Sequence, residues 1–334
     1  MTLATATGLA MLASLVIYAL LGGADFGGGI WDLLASGPRK AGQRVLVERA
    51  IGPIWEANHV WLILVVVVLF TGFPTAFAAV STTLFVPLTL LLFGIVLRGS
   101  AFAFRAYAGR DATQARWGLV FSASSVVAPL TLGTVVGALA SGRLRVAADG
   151  VPISPPLAWL TPFTISTGLL AAALFAFLAA VYLTVEAEGE LQEDFRRRAV
   201  GAGVATFLAA AAAAALSARE APLVFEGLTV RPWSIPLHLV TSAAASGAFA
   251  ALLVRRYRLA RFLAAAQASL IVAGWGAAQY PYLVVPDVTL ASAAAPERTL
   301  VLLLGALAAG ATVLLPSLWL LFRIFKRPQR PTSA

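Results

Sequence analysis

Nine stretches of about twenty mostly apolar residues follow one another along this chain, and a helix needs a stretch of that length to cross a bilayer. A spanning segment must satisfy its own backbone hydrogen bonds, so each stretch is predicted to be helical. Hydrophobic residues make up 60% of the 334 residues and charged residues only 12%, whereas about 25% of a soluble domain is charged. We therefore predict an all-α integral membrane protein that forms a single polytopic membrane domain over residues 1–334. The predicted spans are 7–24, 54–72, 77–97, 118–140, 162–185, 199–217, 234–254, 261–279 and 300–322.

The distribution of basic residues predicts how the chain is oriented in the bilayer. Nineteen of the 24 lysines and arginines fall on alternate connections and on the C-terminal tail. Cytoplasmic connections carry such an excess, so the N-terminus is expected outside and the C-terminus in the cytoplasm. The first twenty residues contain no lysine or arginine, so no cleavable signal peptide is evident.

The composition also excludes several classes of chemistry. The absence of cysteine excludes thiolate iron–sulfur clusters, disulfides and covalent c-type haem attachment. The low charge argues against a nucleic-acid partner, and no phosphate-binding loop of an ATPase is present. We expect no metal site. The chain has only two histidines, His59 and His238, and they could form a bis-histidine haem site only if they converged in space.

Two acidic residues, Asp25 and Glu56, fall at membrane depth and are therefore candidates for function. They lie at similar distances along the chain from the turn near 36–42, so an antiparallel hairpin would place both carboxylates at one depth, toward the cytoplasmic side. A carboxyl group with a raised pKa can accept and release a proton. We expect Asp32, nearer the interface, to need no special role, and the acidic run from Glu186 to Asp194 to be solvated.

His59 shares a helix face with Glu56, and a Glu–His pair can relay protons near neutral pH. An equal alternative is a structural role, in which His59 is only a hydrogen-bond partner of Glu56 or of a neighbouring helix. Haem ligation is a third alternative. Asn58 lies beside them in sequence, and His238 is expected to be a packing residue. Arg98, at the end of the third span, is either an interfacial anchor or a fork that holds a carboxylate or a haem propionate.

Several of these segments, in this order, resemble subunit II of the cytochrome bd-type quinol oxidases, over essentially the whole chain. The Trp-acid-x-Asn-x-Val-Trp block is the most specific of them, and its Glu56 and His59 resemble the branch that includes the cyanide-insensitive oxidases. The matching segments are Asp25-Phe26-Gly27, Trp55-Glu56-Ala57-Asn58-His59-Val60-Trp61-Leu62, Phe73-Pro74, Arg98-Gly99-Ser100-Ala101-Phe102-Ala103-Phe104-Arg105 and Tyr280-Pro281-Tyr282.

The resemblance implies a fold of two four-helix bundles plus one peripheral helix in the bacterial plasma membrane. It implies a heterodimer with subunit I, which carries haem b and haem d, oxidises ubiquinol or menaquinol and reduces oxygen to water. This chain would bind no haem by itself, and the resemblance leaves room for a structural quinone and a small accessory subunit.

Carried over to this chain, the resemblance assigns Glu56, Asp25 and His59 to a proton path from the cytoplasm. It assigns Arg98, Trp55 and Asn58 to the haem environment or the subunit interface. Gly22 and Ala103 stand where the family commonly has acidic residues, so any role of those two carboxylates is lost or relocated here.

Two other functions remain open. A proton-coupled secondary transporter could use Asp25 and Glu56, and it would require broken helices in corresponding halves, of which Gly22–Gly29 could be one. A scaffold subunit would not use the acids in turnover at all.

Overall fold

The computed structural model describes residues 1–51, 55–107, 111–147 and 150–325, with side chains described throughout except at 55–57, 106, 111, 322 and 325. Helices dominate these ranges, and a single short hairpin of two strands accompanies them. The elements are α1 (Leu3–Leu33), α2 (Lys40–Ile51), α3 (Trp55–Gly72), α4 (Pro74–Thr83), α5 (Phe85–Tyr107), α6 (Asp111–Ala140), α7 (Pro162–Glu186), α8 (Gly189–Glu220), α9 (Pro222–Thr229), α10 (Ser234–Leu253), α11 (Tyr257–Gln279), β1 (Tyr282–Val284), β2 (Val288–Thr289) and α12 (Glu297–Phe325).

Within these ranges, eight helices are each long and apolar enough to cross a membrane, and α3 with α4 makes a ninth if the bent pair is one span. The predicted all-α membrane fold is confirmed. The eight single helices are α1, α5, α6, α7, α8, α10, α11 and α12.

The boundaries of the third predicted span, 77–97, are wrong. Residues 77–83 belong to α4, which is bent by 118° relative to α3, and α5 begins only at Phe85. Pro74 occupies the start of α4, directly after Phe73. Proline lacks the N–H that a continuing helix needs and clashes with the preceding turn, so α3 ends there. Hydropathy misses this bend because the apolar residues continue through it.

Glycines allow α1 and α6 to approach α7 closely, and the glycines four residues apart at 23–27 and 133–137 have the small-residue spacing typical of close helix contacts. A Cβ atom at Gly27 would overlap the backbone carbonyl oxygen of Phe175, and one at Gly133 would overlap that of Thr167. Helix α1 continues without interruption through its glycine-rich segment. The backbones therefore touch where any larger residue would push them apart.

The spanning helices form two groups and one outlier. Helices α1, α3, α5 and α6 pack together, α7, α8, α10 and α11 form a second group, and α7 joins the two through α1 and α6. Helix α12 packs mainly on α3 and α1 and leaves apolar side chains such as Leu302 and Trp319 exposed. The expected arrangement of two four-helix bundles and one peripheral helix is confirmed.

The connections after α1, α7 and α10 lie at one end of the helices, which we call the basic end. Arg39, after α1, donates to both carboxylate oxygens of Asp194 and to Glu190 on α8. The hydrogen bond with Asp194 is the main cause of a raised pKa of Arg39. These acids belong to the run expected to be solvated, so that expectation is wrong for Asp194: the ion pair ties the α1–α2 connection to α8.

At the opposite end, Asp287 joins the β1–β2 turn to the segment after α6. Its carboxylate accepts two hydrogen bonds from Arg145, at 2.7 and 3.1 Å, and one from the Val146 N–H at 2.9 Å. The hydrogen bond from Arg145 is the main reason that the pKa of Asp287 lies below its usual value. Folding therefore stabilises the charged form of the Asp287 carboxylate.

We expect this contact to depend on pH. Because the pKa is lowered on folding, its contribution is complete above the unfolded value of about 3.9 and is lost as the pH falls through the folded value. Hydrogen–deuterium exchange at the Val146 amide, corrected for intrinsic rates, should show protection at neutral pH that disappears in acid. An Asp287→Asn variant should show weaker protection at neutral pH and no step in acid. Equal protection in both proteins at neutral pH would contradict this account.

Candidate functional site

The packing of α1 against α3 buries a carboxylate beside an amide. Asp25 is 3% exposed and Asn58 is 1% exposed. The Asn58 side-chain N–H donates to a carboxylate oxygen of Asp25 at 2.5 Å. The packing of α1 on α3 therefore brings residue 25 of α1 to the level of residue 58 of α3, a contact that was not expected from the sequence.

Glu56 and Trp55 begin α3, but their side chains lie outside the described residues. The expectation that the Glu56 carboxylate shares the depth of Asp25 remains a prediction. The backbone places Glu56 two residues before Asn58 on the same helix, so it belongs to the segment that contacts α1.

Arg98 on α5 supplies a positive charge to this cluster. It is 1% exposed, its Nη2 donates to the backbone carbonyl of Asp25 at 3.0 Å, and its Nε donates to Ser125 on α6 at 3.2 Å. The guanidinium also lies 5.1 Å from the ring centres of Phe26 and Phe121. Arg98 is thus buried and not an interfacial anchor, and these two hydrogen bonds go to a backbone carbonyl and a hydroxyl.

A buried arginine is costly unless an opposite charge accompanies it. Asp25 provides that charge, since the carboxylate attracts the guanidinium electrostatically. The cluster therefore combines one cation, one carboxylate and neutral hydrogen-bonding groups inside the membrane-spanning part of the chain. The assignment of Arg98 and Asn58 to a haem environment or subunit interface stays a prediction.

Two further polar atoms at this site are buried and have no hydrogen-bond partner within the described ranges. They are the amide oxygen of Asn58 and the hydroxyl of Tyr18. Buried polar groups nearly always have a partner in proteins, and ordered water commonly supplies it. The site is therefore suited to hold water next to Asp25.

The centre of the His59 ring lies 6.1 Å from that of Tyr18 and 5.9 Å from that of Phe26. The other histidine, His238, uses Nδ1 in a 2.7 Å hydrogen bond with the backbone carbonyl oxygen of Ser234, within α10. The two residues lie in different bundles, on helices without extensive mutual packing, so they do not form a bis-histidine site. Among the described residues there is also no group of three or more histidine or acidic side chains that could hold a metal ion.

A cavity of about 80 Å³ adjoins the cluster. A water molecule needs roughly 10–15 Å³ of such space, so several fit. The cavity touches Asp25 and Asn58 and reaches Glu186 and Arg261 at the basic end. Glu186 is exposed, as expected, but its position at the mouth of a cavity leading to Asp25 was not expected from the sequence.

Asp32 lies in the last turn of α1, near the basic end as expected, but it is buried. It is 1% exposed, and it accepts hydrogen bonds from Ser122 at 2.8 Å and from Arg105 at 3.2 Å. Asp32 follows Asp25 by two helical turns on α1, so the spacing could have suggested a second buried acid on the same face.

Comparison with known proteins decides the family. A family model described as cytochrome bd terminal oxidase subunit II matches residues 3–325. The chain belongs to this family. The resemblance drawn from the motifs around Asp25, Glu56 and Arg98 is therefore confirmed.

Individual relatives of this subunit II chain are distant. The cytochrome bd ubiquinol oxidase subunit 2 of Bacillus subtilis is 29% identical over 60% of this chain and 58% of its own length. A putative cytochrome bd menaquinol oxidase subunit II of the same organism is 24% identical over 94% of this chain and 93% of its own length. The cytochrome bd-I ubiquinol oxidase subunit 2 of Escherichia coli is 26% identical over 58% of this chain and 52% of its own length.

The fold has a counterpart among solved structures. The bd oxidase from Geobacillus thermodenitrificans contains a chain that superimposes with a TM-score of 0.81, covering 97% of this chain and 99% of that one at 23% identity. At this identity the likeness concerns the fold, and it agrees with the two bundles and peripheral helix described above.

Proposed function

We propose that this chain is the haem-free subunit of a quinol:oxygen oxidoreductase in the bacterial plasma membrane and supplies a proton path toward the site of oxygen reduction. Its partner is a subunit I that holds haem b with haem d and oxidises ubiquinol or menaquinol. The haems supply electron transfer from quinol to oxygen. The path begins at the basic end, which the excess of arginine assigns to the cytoplasm, and includes Asp25 and Glu56.

The observation that carries this proposal is the buried Asp25–Asn58–Arg98 cluster beside a cavity that extends toward the basic end. Reduction of oxygen to water consumes protons, and a carboxylate inside the membrane can accept one and pass it on. Arg98 compensates the charge of Asp25 whenever the carboxylate is ionised. Asn58 orients the carboxylate, because its N–H bonds one of the two oxygens.

The role of His59 stays open: it is either a proton relay or a structural residue. Its ring lies against two aromatic rings of α1, which is compatible with either. Its position one residue after Asn58 keeps it beside the proposed path.

The transporter function is less well supported. It requires broken helices in corresponding halves, and the segment offered as one of them, Gly22–Gly29, lies within α1, which is continuous from Leu3 to Leu33. The scaffold function makes a different prediction, namely that Asp25 and Glu56 can be neutralised without cost to turnover.

Neutralising these acids tests the proposal. We expect the Asp25→Asn and Glu56→Gln complexes to assemble with an unchanged visible spectrum and to reduce oxygen at least about tenfold more slowly, since positioned proton-transfer groups contribute factors of that order or more. Oxygen consumption with a soluble quinol, measured on the purified complex, gives the rate.

Glu188→Gln is the matched control, because Glu188 is an exposed carboxylate at the start of α8, and it should leave the rate unchanged. Wild-type turnover in both Asp25→Asn and Glu56→Gln would favour the scaffold function. A colourless chain that purifies without a multi-helix partner would refute the oxidase assignment.

A further inference from the structure

We infer that Glu186 is the outer carboxylate that collects protons for this path, and that water in the cavity between α1 and α7 carries them to Asp25. The inference rests on the proposed function and adds the place where the path opens. Glu186 is the last residue of α7 and is exposed at the basic end.

One face of α7 forms one wall of the cavity. Ala179, Tyr182, Leu183 and Glu186 all line it, and their spacing of three, four and seven residues places them on a single helix face. This face covers about 10 Å along the helix axis, from the buried Ala179 to the exposed Glu186.

A matching face of α1 forms the opposite wall. Leu21, Ala24, Asp25 and Gly28 line the cavity and have the same helical spacing. Asp25 is thus the acidic group of α1 that faces the cavity, and Asn58 lies beside it on α3. The amide oxygen of Asn58, which has no hydrogen-bond partner among the described residues, gives water an acceptor at the inner end.

The charged groups at the outer end suit the collection of protons. Arg261 on α11 also lines the cavity, and its guanidinium lies 5.0 Å from the ring centre of Tyr182. Arg261 therefore places a fixed positive charge at the end of the cavity that Glu186 also lines. The rest of the wall is largely apolar, so it keeps other polar groups away from the water.

The proton transfer is balanced without any further reactant. A proton from bulk water binds a carboxylate oxygen of Glu186, moves along hydrogen-bonded water in the cavity and binds Asp25. Glu186 returns to its ionised form, and no electron is exchanged.

The test measures proton uptake by the whole oxidase complex in liposomes during oxygen reduction. We expect Glu186→Gln to slow uptake and turnover about tenfold with an unchanged spectrum, and Glu186→Asp to keep most of the wild-type rate. Glu188→Gln, which removes the next carboxylate along the chain, should have no effect. These readouts separate proton transfer from folding, since the residues at 186 and 188 are both exposed.

A second pair of variants tests the cavity itself. Ala24→Leu should fill part of the space and slow uptake, while Ala24→Ser, which adds one oxygen atom, should leave it near the wild-type rate. A spectrally intact Ala24→Leu complex with wild-type uptake would contradict the water path.

The outcomes distinguish this inference from the function on which it rests. Slow uptake in Asp25→Asn together with wild-type uptake in Glu186→Gln would overturn the inference and leave the proposed function in place. Wild-type uptake in Asp25→Asn, Glu56→Gln and Glu186→Gln would remove both.

Discussion

Replacement of Gly27 by valine is expected to prevent the folded chain from accumulating in the membrane. A Cβ atom at this position would overlap the backbone carbonyl oxygen of Phe175 and would also lie 2.7 Å from the Cβ of Ala179. A side chain could rotate away, but a backbone carbonyl inside α7 cannot move without shifting the helix. Overpacking a well-packed site costs about 1–3 kcal/mol when side chains can adjust, and we expect a higher cost here.

The amount of folded subunit can be measured by fluorescence-detected size-exclusion chromatography of gently solubilised membranes. Gly201→Ala is the matched control, because Gly201 also lies within a helix but has open space around it. We expect a normal peak for Gly201→Ala and loss of the peak for Gly27→Val. A normal, thermally stable peak for Gly27→Val would show that α1 and α7 are not in backbone contact.

Loss of the Arg98 charge should have the second large effect. In Arg98→Met the hydrogen bonds to the Asp25 carbonyl and to Ser125 are removed, and Asp25 remains buried without this cation. Removing one partner of a buried ion pair typically costs about 3–5 kcal/mol, and we expect a smaller cost here because Arg98 bonds the backbone carbonyl of Asp25 and attracts its carboxylate only electrostatically. We expect the complex to assemble poorly and to unfold at a clearly lower temperature than the wild-type complex.

A double variant separates charge from packing. Arg98→Met combined with Asp25→Asn removes both charges, so thermal unfolding should recover part of the loss, while turnover stays low because the carboxylate is gone. Arg98→Lys keeps the charge but loses the fork, and we expect intermediate stability. If the double variant is no more stable than Arg98→Met alone, the electrostatic attraction between residues 25 and 98 is not what stabilises the cluster.

The functional cluster could be predicted in part from the sequence. Asp25 and Glu56 stand in apolar surroundings, and counting residues from the intervening turn predicts that they share a depth; the contact of Asp25 with Asn58 was not predicted. The burial of Arg98 could not be predicted this way, because an arginine at the end of a hydrophobic stretch is compatible with an interface and with an interior. Only the positions of α1 and α6 around α5 decide which applies.

The sequence alone determined the all-α membrane fold, the family and the two acids worth testing, since hydropathy and motifs are local along the chain. The tertiary structure decided the bend at Pro74, the burial of Asp32 and Arg98, and the cavity that links Glu186 to Asp25. The burial of the two side chains and the cavity depend on which faces of separate helices meet, whereas the bend follows from the local chemistry of Pro74. The sequence cannot distinguish a solvated glutamate from one that lines a cavity, because the difference lies in the helices that pack beside it.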